Sequence, residues 1–186
     1  MYADAYFPGR QPSQISKRFG QIFWGLLFVV LDFKINEFDL IPDFLGYILV
    51  ALGCGGLVNL SRDFSTAKVL NWVLVVLEFA GYVVNRDIAF IYSLFYTVLN
   101  CTMMWFLLGG IMEYASARMR RDLSERASNR RIAYVALMGI AYIIPLFVHD
   151  SRDAAGTAGV VLVICMLILL VLILHLIYRV KNELAT

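Results

Sequence analysis

Six apolar runs fill most of this 186-residue chain, and they leave it few ways to fold. They lie at about 19–31, 41–60, 67–84, 88–110, 132–148 and 158–178. In hydrocarbon the backbone finds no water, so its amides and carbonyls must bond within the segment, as they do in a helix. The period-two alternation of a barrel strand is missing from all six. The first run is short at its core, with Ile15 and Phe33 extending it, so an interfacial or half-crossing helix is an alternative there.

Composition agrees. Hydrophobic residues make up 61% of the chain and charged residues 16%, whereas soluble domains carry about half and a quarter. The length accommodates six helices of about 20 residues and no separate soluble domain. The expected fold class is all-α, a bundle of six transmembrane helices. Residues 1–14 form a flexible polar N-terminus and 15–182 one membrane domain. An arginine-rich loop at 113–131 interrupts that domain, and a short tail at 183–186 ends the chain.

Charge orients the bundle. With the N-terminus inside, the inner segments hold Arg10, Lys17, Arg18, Arg62, Lys68, Arg118, Arg120, Arg121, Arg126, Arg130, Arg131, Arg179 and Lys181, which is 13 of the 16 Lys and Arg residues. The outer loops hold Lys34, Arg86 and Arg152. Positive loops are retained in the cytoplasm during insertion. Both termini are therefore expected in the cytoplasm of a bacterial-type inner membrane. Within the 113–131 loop, Arg118, Asp122 and Arg126 are four apart, as are Arg121 and Glu125, a spacing that would carry the fourth helix onward. Arg118, Arg120, Arg121, Arg126, Arg130 and Arg131 could grip anionic lipid headgroups or an acidic partner. The plainer account makes them a topology anchor.

The outer loops are acidic, with seven carboxylates among them. Asp32, Glu37, Asp39, Asp43, Asp87 and Asp150 form a candidate outer vestibule suited to a cation; pairing with loop arginines is the simpler account. Asp39 is expected to cap the second helix, with Pro42 and Asp43 in its first turn. Gly46 and Gly53 are seven apart on one face, with Gly56 three further on, and such residues let a neighbouring helix approach closely. Ala133, Ala136 and Gly139 make a similar face on the fifth helix. The sixth run, nearly all Val, Ile and Leu, suits lipid or another subunit.

The segment from Asn36 through Phe38, Asp39, Pro42, Asp43, Phe44, Gly46 and Tyr47 to Leu49 resembles a signature of small, uncharacterised bacterial membrane proteins, N-x-F-D-I-L-P-D-F-I-G-Y-I-L. In those proteins it follows a first apolar helix that ends in an acidic residue, the position held here by Asp32. The resemblance covers roughly residues 25–60. It implies a shared structural element and carries no chemistry.

Glu78 is the one formal charge expected deep in a span, where a carboxylate costs a few kcal/mol unless it faces protein or water. Asn71, Glu78, Tyr82 and Asn85 share one face of the third helix, and Tyr92, Tyr96, Asn100 and Met103 repeat the pattern on the fourth. Glu78, Asn71, Tyr82, Tyr96 and Asn100 are thus the candidate polar membrane site, either as bonds between helices or as a proton- or cation-coupled path.

Cys54, Cys101 and Cys165 sit inside apolar runs and read as small buried hydrophobes. No metal, cofactor or nucleic acid is called for, and catalytic signatures are missing: no H-E-x-x-H, G-x-S-x-G, P-loop or dinucleotide fingerprint. Two functions remain. One is a non-catalytic membrane subunit or scaffold, partnered by lipid and by other membrane subunits or its own copies. The other is a small-solute or cation transporter component.

Overall fold

The computed structural model describes residues 12–30, 34–35, 38–39, 43–81, 83–85, 87–147 and 152–184. They form six helices: α1 (Pro12–Val30), α2 (Asp43–Leu57), α3 (Arg62–Gly81), α4 (Ala89–Ala117), α5 (Arg121–Phe147) and α6 (Arg152–Leu184). A minute antiparallel ladder joins β1 (Lys34–Ile35) to β2 (Phe38–Asp39), with Lys34 opposite Asp39 and Ile35 opposite Phe38. Asp39 therefore lies in this ladder and is not the cap of α2, whose first residue is Asp43.

Each helix packs antiparallel on its neighbour in sequence, and α6 returns to pack on α1, closing a ring. Side-chain pairs fix the directions. Phe44 meets Phe79 across α2 and α3, the rings tilted by 38° with centroids 4.9 Å apart. Ser61 bonds Glu113 across α3 and α4, and Tyr134 bonds Asn100 across α4 and α5. Phe23 meets Tyr178 across α1 and α6, 6.3 Å apart. This up-and-down order brings the first turns of α1, the last turns of α6 and the start of α5 to the same end of the bundle. The basic residues from Lys17 to Lys181 that were assigned to one side of the membrane gather there.

Close approach holds α1 to α2. A Cβ on Gly25 would stand 2.7 Å from the Gly46 carbonyl oxygen, and one on Gly46 would stand 2.6 Å from the Gly25 carbonyl oxygen. A Cβ on Gly53 would meet Ile22 at 2.5 Å and the Arg18 carbonyl at 3.0 Å. The small face expected on the second helix is thus occupied, with Gly25 as its counterpart. The face of Ala133, Ala136 and Gly139 behaves otherwise: all three are exposed, and nothing lies within 4 Å of a Cβ built on Gly139. Among the described residues no helix packs closely at Gly139.

Among the described residues, three helices are long and apolar enough to cross a bilayer: Arg62–Gly81, Ala89–Ala117 and Gly159–Leu184. The 15 residues of α2 span about 22 Å, short of the ~30 Å hydrocarbon core. The first turns of α1 carry Lys17 and Arg18, and α5 opens with a charged half.

That charged half corrects an expectation. The arginine-rich segment does not prolong the fourth helix. α4 ends at Ala117, with Met119 at φ 58°. The Arg120 amide bonds the Ala115 carbonyl at 2.9 Å and the Met119 amide bonds that of Ser116 at 2.9 Å, the paired bonds of a Schellman ending. α5 begins at Arg121, so Arg118 and Arg126 lie on different elements.

The core is continuous. Phe19, Ile22, Tyr47, Cys54, Phe64, Leu107, Ile111, Tyr114 and Ile177 are fully buried. Of the cysteines only Cys54 is buried as expected; Cys101 is half-buried and Cys165 is exposed on α6.

Candidate functional site

One run of hydrogen bonds crosses four helices. Tyr134 of α5 donates from its hydroxyl to Asn100 Oδ1 at 2.8 Å. Asn100 of α4 donates from Nδ2 to the Tyr47 hydroxyl of α2 at 2.8 Å. The Tyr47 and Tyr96 hydroxyls are 2.7 Å apart, and Tyr96 of α4 donates to Glu78 Oε1 of α3.

The donor directions can be assigned. The Tyr96 hydroxyl donates to Glu78 Oε1, so its one hydrogen is committed there. Tyr47 must then donate to Tyr96, and it accepts from the amide of Asn100. Every bond points toward Glu78. A polar run of this sort is worth most when every member is satisfied.

Glu78 is not at mid-span. α3 ends at Gly81, so the carboxylate occupies the last helical turn, where the negative end of the helix dipole opposes it. Tyr96 supplies the donor this position needs. The neighbouring Tyr92 hydroxyl donates to the Leu77 carbonyl in the same last turn.

The structure thus unites Glu78, Tyr96 and Asn100 and adds two residues that the candidate set lacked, Tyr47 and Tyr134. Asn71 does not join them. Fully buried, it bonds its own helix through Nδ2 to the Ala67 carbonyl at 2.7 Å, and its Oδ1 has no hydrogen-bond partner among the described residues. Tyr82 lies outside the described residues. Tyr47 carried a signal, standing between Gly46 and the buried face that continues through Val50 and Cys54. Tyr134 follows the charged half of α5 and had none.

Tyr96, Asn100 and Tyr134 also form one wall of a cavity of about 290 Å³ inside the ring. Met103, Met104, Met138 and Met166 supply much of the rest. A second space, an open groove of about 470 Å³ between α4 and α5, runs past Cys101, Trp105 and Gly139. At one end of it Tyr142 lies 2.9 Å from Ser93 Oγ and 2.7 Å from Thr97 Oγ1.

Of the candidate vestibule, Asp43 opens α2 and is half-buried, and Asp87 is exposed in the turn before α4. Asp32, Glu37, Asp150 and the Asp39 side chain lie outside the described residues. Among the described residues no three His, Cys, Asp or Glu side chains cluster as metal ligands.

The candidate arginines take different positions. Arg120 pairs with Asp122 at 3.1 Å and with Glu183. Arg131 stacks over the Trp105 ring at 3.9 Å, and Arg118 over Tyr114 at 5.6 Å. Arg121 and Arg126 are exposed and Arg130 is buried. Bonds from Arg120 hold the Asp122 carboxyl below the usual carboxylate range.

Comparison of the chain with protein-family models, curated proteins and solved structures finds no match.

Proposed function

We propose that this protein is a non-catalytic membrane subunit, a six-span scaffold of a bacterial-type inner membrane with both termini in the cytoplasm. One observation carries the reading: the polar centre is bonded to itself. Glu78, Tyr96, Tyr47, Asn100 and Tyr134 satisfy one another across four helices. A proton moving along this run would have to pass the Asn100 amide, which cannot relay by hydroxyl exchange. The run therefore works as a seam. The bare face of α5 at Ala133, Ala136 and Gly139 and the exposed face of α6 are free to meet partner helices or lipid. Gathering of the basic residues at one end supports the orientation, since cytoplasmic loops keep their Lys and Arg.

A second reading, a small-solute or cation transporter component, is favoured by the cavity walled by Tyr96, Asn100 and Tyr134. Flux in liposomes separates the two. The purified protein, reconstituted with an internal pH dye, is expected to carry no proton or alkali-cation flux above empty vesicles. Glu78→Gln, whose amide oxygen still accepts from Tyr96, should leave that baseline unchanged. Wild-type flux that Glu78→Gln abolishes would overturn the scaffold and install the transporter.

A further inference from the structure

Arg130 poses an energetic problem. It retains 9% of its surface exposure, and its Nη1 is shielded with no hydrogen-bond partner among the described residues. A buried ion without a counter-charge costs several kcal/mol. Its surroundings deepen the problem. Burial first, and then the nearby Arg126 and Arg179, depress its charged form. The carboxylates at this corner are already engaged: Asp122 and Glu183 each meet both Arg120 and Arg179. Those two carboxylates hold Arg120 and Arg179, and among the described residues no ion pair reaches Arg126 or Arg130.

We propose that Arg126, Arg130 and Arg179, at the junction of α5 and α6, form a binding site for a phosphate-bearing anion. Arg126 is exposed and offers the entry. Arg179 stands on α6 with 27% of its side chain exposed, near enough to Arg130 for the two charges to repel. Arg130 supplies the shielded floor. Guanidinium forks match the paired oxygens of phosphate, and basic pockets between membrane helices on the cytoplasmic side suit headgroups. The same chemistry arrives as the headgroup of an anionic lipid or as free phosphate.

The test uses the full chain in a neutral detergent. Thermal unfolding is followed with added phosphatidylglycerol, with phosphatidylcholine, and with inorganic phosphate against chloride at equal ionic strength. A rise in Tm with phosphatidylglycerol alone identifies the headgroup, and a rise with inorganic phosphate identifies the free anion. Arg130→Gln should abolish either rise, while unfolding at the wild-type temperature or above it when no anion is added, because it removes the unpaired charge. Should Arg130→Gln not fold, the exposed Arg126→Gln is expected to weaken the half-saturating concentration about ten-fold, the loss of one charge-assisted contact. No rise with either anion, an equal rise with phosphatidylcholine, or anion binding unchanged in these variants overturns the site.

Discussion

Tyr47 is the residue on which the polar seam turns. It accepts from Asn100 and donates to Tyr96, so Tyr47→Phe removes two bonds and leaves an amide hydrogen and a hydroxyl oxygen short of partners. Bonds between membrane helices average about 0.6 kcal/mol, with a ceiling near 1.7, and an unsatisfied buried group costs more than a deleted bond. Tyr47→Phe should therefore lower stability by about 2 kcal/mol and Tyr134→Phe, at the end of the run, by about 0.6 kcal/mol. Urea or SDS unfolding of the two variants checks the order; equal losses would mean that the seam is not read correctly. Met119 offers the opposite case. It is 90% exposed and holds a left-handed φ where glycine is usual, so Met119→Gly should raise stability by about 0.5–1 kcal/mol in the same assay. Residue patterns foretold some of this. Glu78, Tyr96 and Asn100 were legible from helical spacing. Tyr47 showed only its place beside Gly46 and Tyr134 showed nothing, because spacing relates positions on one helix and the bonds that recruit these two come from another. Asn71 shared the face of Glu78 yet turned back on its own helix, the choice open to any asparagine within reach of an i−4 carbonyl.

Among elements, the pair α1 and α2 depends on small residues most. Gly46→Ala would push a methyl group against the Gly25 carbonyl, and overpacking of this kind costs about 1–3 kcal/mol. Gly139→Ala meets open space and exchanges a helical glycine for a better helix former, so it should be neutral or stabilising by up to about 1 kcal/mol. Thermal unfolding of the two variants side by side tests both; a stable Gly46→Ala would mean that the helices are further apart than described. Apolar runs located all six helices. They misjudged the ends, because helices α4, α5 and α6 continue past the apolar residues into charged sequence. The break at Met119 was invisible in the sequence, since a methionine in the left-handed region carries no turn signature. The four-residue spacing of Arg118, Asp122 and Arg126 instead suggested continuous helix.

At the scale of the molecule, the ring and its charged pole predict sidedness. A cysteine placed at Met119 should react with an impermeant maleimide only after the cells are opened, and one placed at Val83, 81% exposed at the opposite end, should react in intact cells. Reversed labelling would invert the proposed orientation, and equal labelling would remove it. Lys and Arg placement is the ground of that prediction. Ring closure was not readable, because no pattern within α1 or α6 announces that Phe23 will meet Tyr178 or that the Tyr114 hydroxyl will bond the Leu184 carbonyl at 2.9 Å. That closure has a consequence for biogenesis. Because α6 follows α1 in the chain, the second flank of α1 stays uncovered until α6 is in place, and a bundle without α6 would present an unsheathed edge on α1 and on α5.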